Sequence, residues 1–216
     1  GYALALGSHG DGTPDEALAK ALTANNTEWK HFAADLSEPD APETLLKSVI
    51  AHFGRAPDLL VNSAAMFGQD DWQAMAAASL DAHFRLNLFA PLLLAKAVVS
   101  ASPETVQPAI IHIVDQRITN PNGDQLSYTL LKHALATSVR SFAVAFGAQA
   151  RVNAVAPGLV IPTADYSEGQ MARLAGPMPL GELPSAESVA DAVLYLASAK
   201  DTTGQIIFAD GGAHLK

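Results

Sequence analysis

Short apolar runs that alternate with longer stretches of helical period constrain this chain more than any other feature. "DLLVNSA" (58–64), "AIIHIVD" (109–115), "ARVNAVAPG" (150–158) and "GQIIFADGG" (204–212) are β-branched and end in polar, Gly or Pro residues. They read as strands buried on both faces, with "WKHFAADL" (29–36) a weaker fifth. Around them, "TPDEALAKALTAN", "PETLLKSVIAHFG", "LDAHFRLNLFAPLLLAKAVVSA", "YTLLKHALATSVRSFAVAFG" and "SAESVADAVLYLAS" have the length and periodicity of helices. Strand and helix in alternation predict an α/β fold, a doubly wound parallel sheet with helices on both faces.

No composition break divides the 216 residues, so residues 1–216 are expected to form a single domain. An apolar fraction of 49% with only 16% charged residues argues against disorder. The longest apolar stretches, such as "APLLLAKAVV", read as too short or too interrupted to span a bilayer, so no membrane is expected. A net charge of −9 without clustered Lys and Arg argues against nucleic acid as a partner. The chain has no cysteine, which excludes disulfides and thiolate catalysis and fits a reducing, cytoplasmic setting. The scattered His31, His52, His83, His112, His133 and His214 lack carboxylate or Cys partners at ligand spacing, so no metal site is expected.

In an open parallel sheet, ligands sit beyond the carboxyl ends of the strands. Asp35, the run Asn62 to Ala65, Asp115, and Pro157 with Gly158 all fall at such ends. Tyr128 and Lys132, four apart on a helix, share a face, so an ammonium can stand near a phenol and favour its anion. An unperturbed Tyr titrates near ~10, and a lowered value would make it a better proton donor near neutrality. An amphipathic helix with a half-buried Tyr and an exposed Lys would read the same way.

Five ordered motifs carry a resemblance: "NSAA" (62–65), Asn87 in "RLNLFAP", "YTLLK" (128–132), "VNAVAPG" (152–158) and "TGQIIFADGG" (203–212). Together they resemble the short-chain dehydrogenase/reductase family from about residue 29 to the C-terminus. The resemblance implies a Rossmann-type fold, an NADPH cofactor and a homotetramer built on helices at about 80–101 and 127–147. It implies that Tyr128 delivers the proton, and that Lys132 binds the nicotinamide ribose and biases Tyr128. Asn87 would make a water-mediated link to the lysine. Asn62, Ser63, Ala64, Pro157, Gly158, Leu159 and Val160 would line the cofactor, with Asp35 and Leu36 at the adenine. Asp35 also suits a plain Asp-Leu-Ser turn. The Pro- and Gly-rich segment 161–184 would be the substrate loop, and Trp72 and Met75 would belong to a helix packed on or over the site.

The family's usual serine, thirteen residues before the tyrosine, is Asp115 here. That acid is similar to the one in pteridine reductases and dihydromonapterin reductases. Phe67 after "VNSAAM" resembles the residue whose ring stacks on the pterin, and "DGGAHLK" resembles a dihydromonapterin-reductase tail. A pterin is reduced at C=N, where a nitrogen must gain a proton after hydride arrives, and a carboxyl can join that proton supply. The substrate expected from the resemblance is thus a dihydropterin, with folate also open. The alternatives are a carbonyl reductase, or an inactive dinucleotide-fold protein. Asp115 as a turn residue and Phe67 as core packing remain open readings.

The Gly-rich phosphate turn of dinucleotide folds has no counterpart in a strand–turn–helix setting. "GYALALG" (1–7) reads either as the helix that follows such a turn or as the second strand, with residues of a fuller N-terminal part expected to be missing. Ser8 and His9 then fall where the cofactor's 2′-phosphate would be selected.

Overall fold

The computed structural model describes residues 1–10, 15–161, 173 and 178–216. Among these residues six strands alternate with helices. They run β1 (Leu4–Ser8), α1 (Glu16–Ala24), β2 (Trp29–Ala33), α2 (Ala41–Phe53), β3 (Leu59–Asn62) and α3 (Ala77–His83). A π-helical stretch, Phe84–Phe89, joins α3 to α4 (Ala90–Ala101), and β4 (Ala109–Ile113), α5 (Leu126–Phe146), β5 (Arg151–Pro157), α6 (Ala186–Ser198) and β6 (Ile206–Ala209) complete the order. Leu4 to Gly7 of "GYALALG" therefore lie in a strand; the helical reading does not hold.

All the strand pairs are parallel, but the sheet is in two pieces where the alternation predicted one. β1 pairs with β2, and β3-β4-β5-β6 form a separate four-stranded sheet in that order. Among the described residues no strand links β1 to β3. α2 spans both pieces: Leu46 joins the main core, while His52 and Phe53 meet the Phe32 ring of β2. Only β4 and β5 are buried along nearly their whole length; β1 and β2 alternate between half-buried and exposed, and β3 and β6 are mostly half-buried.

The larger core cluster lies between the four-stranded sheet and α4 and α5, with Val98, Leu131, Leu135, Val139, Ile110 and Val152 at its centre. A smaller cluster on the other face packs Leu196 of α6 onto Ile111 and Val155. Helices thus cover both faces. The helical run Ala77–Ala101, 25 residues, is long and apolar enough to cross a membrane by length and composition alone. "APLLLAKAVV" by itself is too short for that; the helix reaches the length only because α3 and the π stretch continue into it. In the structure Leu88, Ala95, Val98 and Val99 of this run are core residues.

Local chemistry explains several helix ends. Asp15 caps α1 through the Ala17 amide, Ser185 caps α6 through the Ser188 amide, and Gly54 ends α2 in the left-handed region at φ 75°. α5 lacks such a local cap. Gln125 precedes it at φ 51° with no capping bond from its own side chain.

Candidate functional site

β4 ends at Ile113, and Asp115 opens the 3₁₀ turn Gln116–Ile118. Its carboxylate uses its two oxygens differently. Oδ1 accepts from the Arg117 amide at 2.8 Å, which fixes the turn, and Oδ2 accepts from the Tyr128 hydroxyl at 2.9 Å. Asp115 is at once a turn residue and the neighbour of the phenol. Tyr128 is buried in the first turn of α5, and Lys132 follows one turn later with its ammonium 5.5 Å from the Tyr128 ring centroid. Lys132 Nζ donates to the Ile113 carbonyl at 2.7 Å, so the strand end positions the lysine as well as the acid.

The electrostatics run against one expectation from the sequence. The spacing of Tyr128 and Lys132 predicts a lowered phenol pKa, yet Tyr128 is pushed well above its ordinary value. Burial is the main cause, followed by the negative charge of Asp115 and its role as hydrogen-bond acceptor. Burial pulls Lys132 down to about 8, against the opposing pull of Asp115. The folded value lies below the ordinary 10.5. Below about 8 Lys132 is charged in both states and its burial costs stability in full; that cost is relieved as pH rises from about 8 towards 10.5.

Asn62, at the end of β3, is buried; its amide donates to the Pro91 carbonyl at 3.3 Å and lies 3.2 Å from Nδ1 of His112 on β4. Burial, with the Lys132 charge adding to it, draws His112 down to about 4, which keeps the imidazole neutral beneath the site. Asn87 sits in the π stretch, a wider turn often found at functional positions. It accepts from the Met66 amide at 2.7 Å and donates to the Met66 carbonyl at 2.8 Å. The resemblance implies a water-mediated link from Asn87 to Lys132; the contacts seen are with the Met66 backbone.

That clamp leads directly to Phe67. Its ring meets Tyr128 edge-on, with centroids 4.9 Å apart at 75°, yet the residue is 46% exposed. A ring so exposed is not packed in the core. Trp72 is 74% exposed and lies in a turn, not in a helix as expected; the Asp71 carboxylate accepts from the Gln73 and Ala74 amides there. Asp70 reaches in the opposite direction, its carboxylate taking the amide (3.1 Å) and the hydroxyl of Ser127 at the start of α5. Sequence reasoning misses this bond because 57 positions separate the partners.

Pro157 and Gly158 end β5, and a Cβ at Gly158 would stand 3.1 Å from Cα of Asp210, so the glycine permits the β5 and β6 ends to approach. Leu159 and Val160 follow in the same bend. Buried Asp210 gathers the tail "DGGAHLK": its carboxylate accepts from the Gly212 and His214 amides and lies 2.9 Å from Nδ1 of His214, whose ring stacks on Phe208. The Asn120 amide donates to the His214 and Lys216 carbonyls, tying the tail to the segment that follows Asp115. Most of the expected substrate loop, residues 162–172 and 174–177, lies outside the described residues.

Asp35 and Leu36 follow β2, in the other piece of the sheet. Asp35 accepts from both the Ser37 hydroxyl (2.6 Å) and the Ser37 amide (3.0 Å), the Asx-type turn that was its plain alternative. Ser63 and Ala64 are exposed beyond β3. Ser8 ends β1 and bonds to His31 at 2.7 Å, and His9 stands 3.5 Å from Asp35.

The family described as enoyl-(acyl carrier protein) reductase matches residues 1–214. The 3-oxoacyl-[acyl-carrier-protein] reductase of Pseudomonas aeruginosa is 29% identical, over 99% of this chain and 88% of its own length. The crystal structure of FolM alternative dihydrofolate reductase 1 from Brucella canis, complexed with NADP, superposes with a TM-score of 0.92 at 32% identity, over 100% of this chain and 85% of that one. A short-chain dehydrogenase/reductase from Serratia marcescens superposes with a TM-score of 0.85 at 27% identity, over 97% and 86%.

Proposed function

We propose that this chain, which belongs to the short-chain dehydrogenase/reductase family, is an NADPH-dependent reductase of dihydropterins. The observation that carries the reading is the Tyr128 hydroxyl seated on a carboxylate, Asp115, at the position where a carbonyl reductase of this family has serine. The exposed Phe67 ring beside Tyr128 supports it, because a flat heteroaromatic ring can lie against it. So does the likeness to the Brucella canis dihydrofolate reductase, whose structure holds NADP.

The residues present fit the nicotinamide end of the cofactor. The Lys132 ammonium has three donors, of which Ile113 takes one, so two suit a ribose diol. Tyr128 stands one helical turn away, and the ends of β3 and β5 supply Asn62, Ser63, Ala64, Pro157, Gly158, Leu159 and Val160 as the lining. Asp35 and Leu36, with Ser8 and His9, belong to the adenosine end. When bound, NADPH would supply a hydride to the carbon of the substrate C=N bond. The nitrogen would then take its proton from the Tyr128 hydroxyl, and Asp115, which accepts that hydroxyl's hydrogen bond at 2.9 Å, would orient it or relay to it. The outward apolar residues Phe89, Leu93, Leu130 and Val144 suit the helix-paired homotetramer that goes with this reading.

The likeness to the Pseudomonas ketoacyl reductase favours a second reading, reduction of a carbonyl substrate. Oxidation of NADPH with dihydromonapterin, dihydrobiopterin and dihydrofolate, set against a ketone panel, separates the two. Turnover of a dihydropterin is expected; turnover of ketones alone would establish the second reading. With either substrate, kcat/KM should fall as pH rises through about 8, because Lys132 loses its charge there. A rate that stays level to pH ~9.5 would show that the Lys132 charge is not required.

A further inference from the structure

We propose that Asp70 is a positioning residue, latching the 63–76 segment onto the first turn of α5 and thereby setting where the Phe67 ring stands beside Tyr128. α5 carries both Tyr128 and Lys132, and its local sequence leaves its amino end without a side-chain cap, since Gln125 makes no capping bond. The first amides of a helix need acceptors from elsewhere and favour a negative charge. Asp70 meets both needs through the Ser127 amide and hydroxyl, Ser127 being wholly buried. Burial works to raise the Asp70 carboxyl, but the Ser127 hydrogen bonds, with the Leu126 amide and nearby His83, together hold the pKa below its usual value. Asp70 therefore accepts as a carboxylate, the stronger kind of acceptor.

The consequence for substrate follows from the spacing. Met66 is held on both sides of its peptide by Asn87, and Asp70 is held by Ser127, so Phe67, Gly68 and Gln69 bridge two fixed points. Gly68 is also close-packed: a Cβ there would stand 3.3 Å from Cε1 of buried His83. A stretch so short between two anchors has little backbone freedom left to lose when substrate arrives. The Asp71 bonds that hold the Trp72 turn are purely local, so Asp70 alone of the two adjacent acids connects this wall to the helix that carries the phenol. The inference rests on Phe67 as a substrate wall and on Tyr128 as the acid, and not on which compound is reduced.

The test is a set of variants on the enzyme with NADPH: Asp70→Ala, Asp70→Asn, Ser127→Ala, Phe67→Ala, and Asp70→Ala combined with Phe67→Ala. The substrate is whichever compound the unaltered enzyme turns over, so a failed dihydropterin reading shows in the parent and not in the cycle. Asp70→Ala and Ser127→Ala are each expected to raise KM about threefold or more, with a smaller change in kcat and no change in the dissociation constant of NADPH. Asp70→Asn keeps an acceptor oxygen and should recover most of the loss. In the Phe67→Ala background, Asp70→Ala should add nothing further to KM. Unchanged KM in Asp70→Ala, or full multiplicative effects of Asp70→Ala and Phe67→Ala, would overturn the proposal. Should Asp70→Ala fail to fold, Ser127→Ala and its combination with Phe67→Ala are read by the same criteria.

Discussion

Tyr128→Phe is expected to lower kcat by about 10²–10⁴ while leaving NADPH affinity close to that of the parent. The substitution removes one hydroxyl and keeps the ring that meets Phe67 edge-on and lies 5.5 Å from the Lys132 ammonium. What disappears is the hydroxyl proposed as the proton donor, along with its 2.9 Å bond to Asp115. Asp115 is only half-buried, so water can take the vacated position and the fold should lose no more than about 1 kcal/mol. Single-turnover NADPH oxidation with a separate binding titration distinguishes the two effects. A phenylalanine variant that keeps most of the parent's turnover would place the proton source elsewhere.

Asp115→Ser should depress dihydropterin turnover by at least about tenfold, or ~1.4 kcal/mol in the barrier. Serine is able to cap the Gln116–Ile118 turn as Asp115 does, by accepting from the Arg117 amide, so fold and cofactor affinity should survive. What serine lacks is the second oxygen with its negative charge. Asp115 raises the Tyr128 pKa both by charge and by accepting its hydrogen bond, so without it the phenol's pKa comes down. Asp115 also raises the Lys132 pKa, so a rate limb governed by Tyr128 and Lys132 should shift to lower pH when the carboxyl is removed. The same variant should gain carbonyl reduction, since a hydroxyl suffices to hold a ketone oxygen. Parent-like dihydropterin turnover with an unmoved pH profile would reduce Asp115 to its role in the turn, leaving Phe67 and the tail as the support for a pterin substrate.

Both predictions concern residues that are legible in the sequence, because the relations involved are periodic. Tyr128 and Lys132 share a helix face by their spacing of four, and Asp115 follows a run whose β-branched composition marks a buried strand. The strands at 29–33, 59–62, 109–113, 151–157 and 206–209 fall inside the runs read for them, and the placing of Asp115 and Pro157–Gly158 at strand ends follows from those runs. The doubly wound α/β class is written in that alternation.

Other features depend on partners far apart in sequence, for which no local period exists. Pairing leaves β1 and β2 as a separate sheet, and settles "GYALALG" as a strand where its apolar pattern fitted a helix equally well. The sign of the Tyr128 shift is likewise tertiary. Spacing brings a cation near the phenol, but burial and the Asp115 contact outweigh it, and neither can be read from the interval between Tyr128 and Lys132. Most strands and helices, and the chemical groups that reach the carboxyl ends of the strands, are readable locally, because backbone sterics and the hydrophobic period act over a few residues. How those groups are held depends on packing: Asp70 on Ser127, Asn87 on Met66 and Asn120 on the tail, across 57, 21 and 94 positions. Such bonds form only after packing has brought distant segments together, so they leave no trace in the local sequence.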